Sequence, residues 1–200
     1  FKQKTAYEIY QCDWSSDVCS SDLTLLGKIL RISPTEADGY KTPHDNPSRS
    51  EPGSSQEVWA SGFSSPDSFA FSSPWTKLFV IDSRGDAGAI VSLVSAGGSP
   101  ASSPTYTAPR GEALVGGVAC SPCSLPSLHG QFVLADSSTG KVFSLFEISG
   151  KLARQEIASV SPGKITAIGL SEKGSLVVAT DRGTLTEITE AGPSTTTSKP

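Results

Sequence analysis

The chain has 200 residues, 18% of them charged, a net charge of −4 and a mean hydropathy of −0.12. So nearly neutral a chain carries no electrostatic footprint for nucleic acid or an anionic membrane surface. No apolar run approaches the roughly 20 residues that span a bilayer as a helix, so no transmembrane segment is expected.

The first 23 residues stand apart from the rest. Phe1-Lys2-Gln3-Lys4-Thr5-Ala6-Tyr7-Glu8-Ile9 and Asp13-Trp14-Ser15-Ser16-Asp17-Val18-Cys19-Ser20-Ser21-Asp22-Leu23 look like two adjoining stretches of a translated sequencing adapter, with an index at Tyr10-Gln11-Cys12. Residues 1–23 are therefore expected to have no native fold, and the natural chain is expected to continue upstream of Thr24. Setting them aside leaves a net charge of −2 and two cysteines, Cys120 and Cys123, too few to mark a redox compartment. Asn46 is followed by Pro47, which excludes it as a glycosylation acceptor.

From Thr24 onward the pattern is one of short strands. Gly27-Lys28-Ile29-Leu30-Arg31-Ile32 alternates apolar and polar residues, and a polar loop is expected from Ser33 to Gln56. A unit of apolar strand, Asp, Gly-containing turn and second strand then recurs. Lys77-Leu78-Phe79-Val80-Ile81-Asp82 leads through Arg84-Gly85 to Ala89-Ile90-Val91-Ser92-Leu93. Gln131-Phe132-Val133-Leu134-Ala135-Asp136 leads through Thr139-Gly140 to Lys141-Val142-Phe143-Ser144-Leu145. Ser175-Leu176-Val177-Val178-Ala179-Thr180-Asp181 leads through Arg182-Gly183 to Thr184-Leu185-Thr186-Glu187-Ile188. Apolar, β-branched runs broken by such turns predict β-hairpins. The three Asp residues lie 54 and 45 residues apart, a period that suggests propeller blades. Lys151 to Val160 is the best helix candidate, but its β-branched and small residues suit a strand equally well. Ala191 to Pro200 is Gly, Pro, Ser and Thr with little to bury, and predicts a disordered tail or a stalk. The expected organisation is thus 1–23 artefact, 24–190 partial propeller and 191–200 tail.

Several segments resemble the soluble glucose/sorbosone dehydrogenases and the hedgehog-interacting-protein-like proteins. Leu25-Leu26-Gly27-Lys28-Ile29-Leu30-Arg31-Ile32 is similar to the strand that opens a central blade, and Tyr40-Lys41-Thr42-Pro43-His44-Asp45-Asn46-Pro47 to the family's Tyr-x-Ile-Pro-x-Asp-Asn-Pro loop. Glu57-Val58-Trp59-Ala60-Ser61-Gly62-Phe63 resembles its Glu-Ile-Trp-Ala-x-Gly-Leu segment. Gly116-Gly117, Leu125 to Asp136 and Ser138 to Val142 resemble a later blade. The resemblance covers Leu25 to Leu145, and beyond Phe146 only the strand pattern continues. It implies an all-β fold, a partial six-bladed β-propeller of about three to four blades, from an extracellular or cell-surface protein. In enzymatic members it implies pyrroloquinoline quinone beside calcium, with a His base upstream of the Gly-Lys-Ile-Leu-Arg strand and so before Thr24. In hedgehog-binding members the partner loop also lies upstream.

The decisive departure is Gly62-Phe63-Ser64-Ser65-Pro66, where the family carries Gly-x-Arg-Asn-Pro. The resemblance makes Ser64 and Ser65 the positions of the cofactor-facing Arg-Asn pair. An Arg offers a fixed fork of donors to carboxylate and quinone oxygens, which a Ser cannot reproduce. A compensating Arg84 or Arg110 is the rival. His44, in a Pro-rich loop, and His129, in a turn before a strand, lack the oriented partner that a general base needs. Cys120-Ser121-Pro122-Cys123 is a single CxxC following a strand; it reads as a local disulfide or two free thiols, ahead of redox chemistry or half a zinc site. Asp82, Asp136 and Asp181 are expected to accept N–H bonds within their own turns, calcium binding being the alternative. Trp59, Phe69, Phe71, Trp75, Phe79, Phe132, Phe143 and Phe146 recur with the strands and are expected to pack between blades.

These readings lead to a non-catalytic propeller that binds carbohydrate or an extracellular protein, with no catalytic residue, cofactor or metal of its own. The alternatives are the C-terminal part of a quinone-dependent sugar oxidoreductase, with quinone and calcium, and a structural extracellular module.

Overall fold

The computed structural model describes residues 25–35, 39–50, 54–72 and 76–189. The adapter-like segment, the tail and Trp75 lie outside them. Fifteen strands follow in chain order among the described residues: β1 (Ile29–Leu30), β2 (Ser33–Pro34), β3 (Tyr40–Lys41), β4 (Val58–Ala60), β5 (Pro66–Phe71), β6 (Lys77–Ser83), β7 (Ala89–Ser95), β8 (Thr105–Thr107), β9 (Leu114–Ala119), β10 (Phe132–Asp136), β11 (Lys141–Ile148), β12 (Lys151–Ser159), β13 (Ile165–Leu170), β14 (Leu176–Thr180) and β15 (Leu185–Ile188). The only helices among these residues are short 3₁₀ turns. The expected hairpins are β6–β7, β10–β11 and β14–β15, and the ambiguous run from Lys151 is strand β12. The segment expected as one polar loop from Ser33 to Gln56 instead holds the β2–β3 pair and a 3₁₀ turn at Pro47–Ser50, because Asn46 and Ser48 tie it to its neighbours. Buried Asn46 donates Nδ2 to the carbonyls of Arg31 and Gln56, each at 3.0 Å, and Ser48 Oγ donates to Val58 O at 2.7 Å.

Three antiparallel meanders make the body: β5-β6-β7-β8, β9-β10-β11-β12 and β13-β14-β15. A fourth, partial unit pairs β1 with β4. The fold is all-β, a partial β-propeller of three to four blades. The first strands β5, β9 and β13 pack beside one another, and the outer strands β8 and β12 also touch. That arrangement sets the sheets side by side like blades round an axis, with β5, β9 and β13 innermost.

Apolar residues fill the three spaces between sheets. Ile29, Trp59, Ala60 and Phe63 meet Leu78, Val80 and Val94 on one face of β6–β7. Phe79, Ile81, Val91 and Leu93 on the other face meet Phe132, Leu134, Phe143 and Leu145. There Phe79 stacks on Phe132 with ring centroids 4.9 Å apart and planes 5° off parallel. Val133, Ala135 and Val142 then meet Ile165, Leu176 and Val178. Strands β6 and β10 are buried on both faces, which is why they read as continuous apolar runs rather than alternating ones. Inner strand β9 needs glycine for a different reason: a Cβ on Gly116 would collide with the Ser68 side chain of β5, and one on Gly117 with the Val133 backbone of β10.

Two expected interblade aromatics remain largely exposed. Phe69 is 54% exposed and Phe71 43%, on the face of β5 that also carries their strand partners Val80 and Leu78. The buried contacts of the β1–β4 pair on that face are with Leu78 and Val80 of β6 and Val94 of β7.

Candidate functional site at the leading end of the inner strands

Register places one chemistry at one end of all three sheets. Pro66 of β5 lies opposite Asp82 of β6, Leu114 of β9 opposite Asp136 of β10, and Ile165 of β13 opposite Thr180, the residue before Asp181. The three repeated Asp residues therefore sit beside the loops that lead into the inner strands, and each grips that loop. Asp82 Oδ1 accepts the N–H of Ser64 at 2.8 Å and of Ser65 at 2.7 Å. Asp136 Oδ1 accepts Ala113 N–H at 3.1 Å, and Asp181 Oδ1 accepts Lys164 N–H at 2.9 Å. The expectation that these carboxylates serve their own turns holds for Asp136, which also binds Ser138 and Thr139. For Asp82 and Asp181 it is corrected: the backbone N–H groups they take belong to a loop 17 or 18 residues earlier, because strand pairing brings it alongside. Burial alone would push the Asp136 carboxyl up, but the Ser138 and Thr139 hydroxyls and the N–H groups of Ser138 and Ala113 hold it below the ordinary carboxylate range.

Ser64 and Ser65 are exposed at this end, on the loop gripped by fully buried Asp82. Both their N–H groups are spent on Asp82. Ser65 Oγ lies 3.3 Å from Asp67 Oδ1, and Ser83 Oγ donates to Asp67 Oδ2. Arg84 turns back over the same carboxylate, with Nε 3.2 Å from Asp82 Oδ2 and its side chain 35% exposed. The residue named as a rival for the absent family Arg thus reaches the Ser64–Ser65 loop through Asp82. Arg110 is exposed on the next leading loop, whose Ala108 and Pro109 carbonyls border Gly88 of the Arg84 turn. Sequence reading missed Asp67; an acid directly after the loop Pro66, at the first inward step of a strand, was its only signal.

The other candidates lie elsewhere. His129 is exposed at the opposite end of the sheets, where its Nε2 lies 3.0 Å from Cys123 O, and His44 is exposed on the loop before Asn46. Neither joins the Ser64–Ser65 group. Cys120 and Cys123 form a disulfide, Cα atoms 5.1 Å apart, in the loop between β9 and β10. Beside it an open cleft of about 350 Å³ runs between that loop and the β13–β14 turn at Glu172 and Lys173. Among the described residues no three His, Cys, Asp or Glu side chains converge as metal ligands, and no helix is long and apolar enough to cross a membrane.

If Ser64 and Ser65 stand at the cofactor-facing positions that the resemblance implies, a quinone would present carboxylates and quinone oxygens to this loop. The loop's own residues would answer with two short hydroxyls, N–H groups already bonded and the exposed Asp67 carboxylate, which do not fit an anionic quinone, and the cation beside them is Arg84, held at Asp82.

No family model matches the chain, and no curated protein matches it. Solved structures do. A glucose dehydrogenase superposes with a TM-score of 0.68 at 18% identity, over 86% of this chain and 53% of that one. The soluble aldose sugar dehydrogenase of Escherichia coli, in its apo form, gives 0.57 at 17% identity over 80% of this chain and 53% of that one. The PQQ-bound aldose sugar dehydrogenase of Streptomyces coelicolor gives 0.57 at 17% identity over 84% and 52%. The chain spans about half the length of the solved structures it matches. Three sheets and part of a fourth in half a ring agree with six blades in the whole. The chain therefore has the fold of part of a sugar-dehydrogenase propeller.

Proposed function

We propose that this chain belongs to the glucose/sorbosone dehydrogenase-like propellers and serves, outside the cell or at its surface, as a non-catalytic module that binds carbohydrate or protein. The fold likeness and the ordered sequence motifs support the group. The Ser64–Ser65 loop carries the functional step: where a cofactor-facing Arg-Asn pair is expected, the side chains are short and the backbone donors are committed to Asp82.

The competing reading is a quinone-dependent sugar oxidoreductase, and Arg84 is the observation that favours it. Adding pyrroloquinoline quinone and calcium, with sugars and an artificial electron acceptor, to the full-length parent, which would carry the His base expected upstream, separates the two. The binding reading expects no quinone-dependent turnover and no saturable quinone absorbance change. Oxidation of any aldose above the quinone-free background would overturn it.

A further inference from the structure

The turn that joins β6 to β7 reads Ser83-Arg84-Gly85-Asp86-Ala87-Gly88. Three backbone bonds fix it: Arg84 N–H to Gly88 O at 2.8 Å, Ala87 N–H to Arg84 O at 3.1 Å and Gly88 N–H to Gly85 O at 3.0 Å. Gly85 stands at the tip with φ +56°, a conformation that favours glycine, and a Cβ there would meet nothing within 4 Å. Asp86 is exposed beside it, and no cation pairs with its carboxylate among the described residues. Arg84 is neutralised from below instead. Its Nε lies 3.2 Å from Oδ2 of buried Asp82, and neither Nη group has a partner among the described residues. The tip therefore displays the end of a guanidinium and an unpaired carboxylate on a fixed turn. Two residues of backbone span at most about 7 Å, so one partner can touch both groups.

The other two sheets show that such a turn does not need these charges. The β10–β11 turn is Ser138-Thr139-Gly140-Lys141 and the β14–β15 turn is Asp181-Arg182-Gly183-Thr184; neither has a carboxylate after its glycine. Nor does the exposure come from the open end of the series. The β10–β11 turn belongs to a sheet packed on both sides, and Ser138 and Thr139 at its tip are exposed all the same.

We infer that Arg84-Gly85-Asp86 is a docking tip for a receptor protein that holds a divalent cation with an open coordination position and an acidic pocket beside it. This rests on the binding-module reading above and names the kind of protein it would bind. A divalent cation takes about six or more oxygen ligands, so one carboxylate cannot hold it and the ion must be the receptor's, with Asp86 supplying a ligand oxygen. The two Nη groups of Arg84 offer parallel donors to a receptor carboxylate. A polyanion would meet the Asp86 charge and a polycation the Arg84 charge, whereas a site with one acid and one metal complements both. The turn bonds and Asp82 set the backbone and the guanidinium beforehand, so docking orders little that is loose.

The full chain, immobilised and checked for folding by thermal unfolding, would be offered a purified integrin ectodomain that binds Arg-Gly-Asp peptides. Binding would be read in manganese, in a chelator, and against the soluble peptides Gly-Arg-Gly-Asp-Ser and Gly-Arg-Gly-Glu-Ser. The variants are Asp86→Glu, Arg84→Lys and, as a control at the opposite end of the sheets, Glu172→Gln. Asp86→Glu keeps the charge on an exposed side chain, so it tests the geometry even where Arg84→Lys disturbs the contact with Asp82. The expected result is saturable, manganese-dependent binding that the Asp peptide displaces and the Glu peptide does not. Asp86→Glu should weaken it roughly tenfold or more, and Glu172→Gln should leave it unchanged. No binding by the folded chain, or binding indifferent to the chelator or to Asp86→Glu, would overturn the docking tip and leave the binding-module reading standing. Quinone-dependent sugar turnover by the full-length parent would sink that underlying reading itself.

Discussion

Asp136 is 1% exposed and accepts four hydrogen bonds, from Ala113 N, Ser138 N, Ser138 Oγ and Thr139 Oγ1, at 2.7 to 3.1 Å. Its carboxyl is held below the unfolded value, so its contribution to stability is complete above the unfolded carboxylate range near pH 4 and is lost as pH falls through the lower, folded pKa. Asp136→Asn is expected to cost about 1 kcal/mol or more at pH 7 and to flatten the acid limb of the stability curve, measured by denaturant midpoints from pH 7 to pH 2. An acid limb unchanged by the substitution would count against this role. Ser92 and Ser144 make the opposite case. Both are fully buried on third strands, β7 and β11, and neither hydroxyl has a partner among the described residues. Ser92→Ala and Ser144→Ala should therefore be neutral or stabilising by up to about 1 kcal/mol, read from the melting temperature. How much of the site was legible follows from the same distinction. Ser64, Ser65 and Arg84 could be named from a motif and its departure, because motif residues are contiguous. That Arg84 reaches the loop through Asp82, and that Asp67 faces Ser83, depend on strand pairing that joins residues 16 to 18 apart in sequence, which no local pattern displays.

The β5–β8 and β9–β12 sheets are held to each other by more than apolar area. Arg154 of β12 lies 4.1 Å above the Phe143 ring and 5.2 Å from the Tyr106 ring of β8 in the neighbouring sheet. Its Nη1 also donates to both carboxylate oxygens of Glu112, at 2.7 and 2.8 Å, on the loop between the sheets. The pair is mostly shielded, with side chains 25% and 15% exposed, so removing one partner strands the other. Arg154→Ala is expected to cost about 2 kcal/mol from the lost ring contacts and the unpaired Glu112, and Arg154→Lys, which keeps charge without the fork, less. Thermal melts of the two variants give the order; equal losses would mean that the guanidinium geometry is irrelevant. The hairpins were legible because each is a local apolar run with its own turn. The Arg154 clip was not, since Arg154 and Glu112 are separated by 42 residues and neither carries a pattern. The glycines of β9 were legible only as a motif; their reason, the approach of Ser68 and Val133, comes from packing. Phe69 was misread for the same cause: an aromatic at strand spacing says that a face is apolar, not that anything covers it.

At the scale of the whole molecule, the sheets bury their faces against one another everywhere except at the two ends of the series. At one end β5 presents Phe69, 54% exposed, and around β1 lie Leu25, Leu26, Leu30 and Ile32, each 40% exposed or more. At the other end β15 presents Leu185, 67% exposed, away from the core side that holds Thr186 and Ile188. Closed propellers bury such faces; open ones leave them for association. Residues 24–200 are therefore expected to self-associate or partly unfold when expressed alone, with an apparent mass by light scattering that rises with concentration. Phe69→Ser combined with Leu185→Lys, one change on each open face and neither in the buried clusters, should lower that association while leaving the far-ultraviolet β signal intact. A monodisperse monomer with a sharp cooperative melt at every concentration would show that the two end faces are already self-sufficient. Association unaffected by the double variant would place the sticky surface elsewhere, with the Leu25–Ile32 group the next to change.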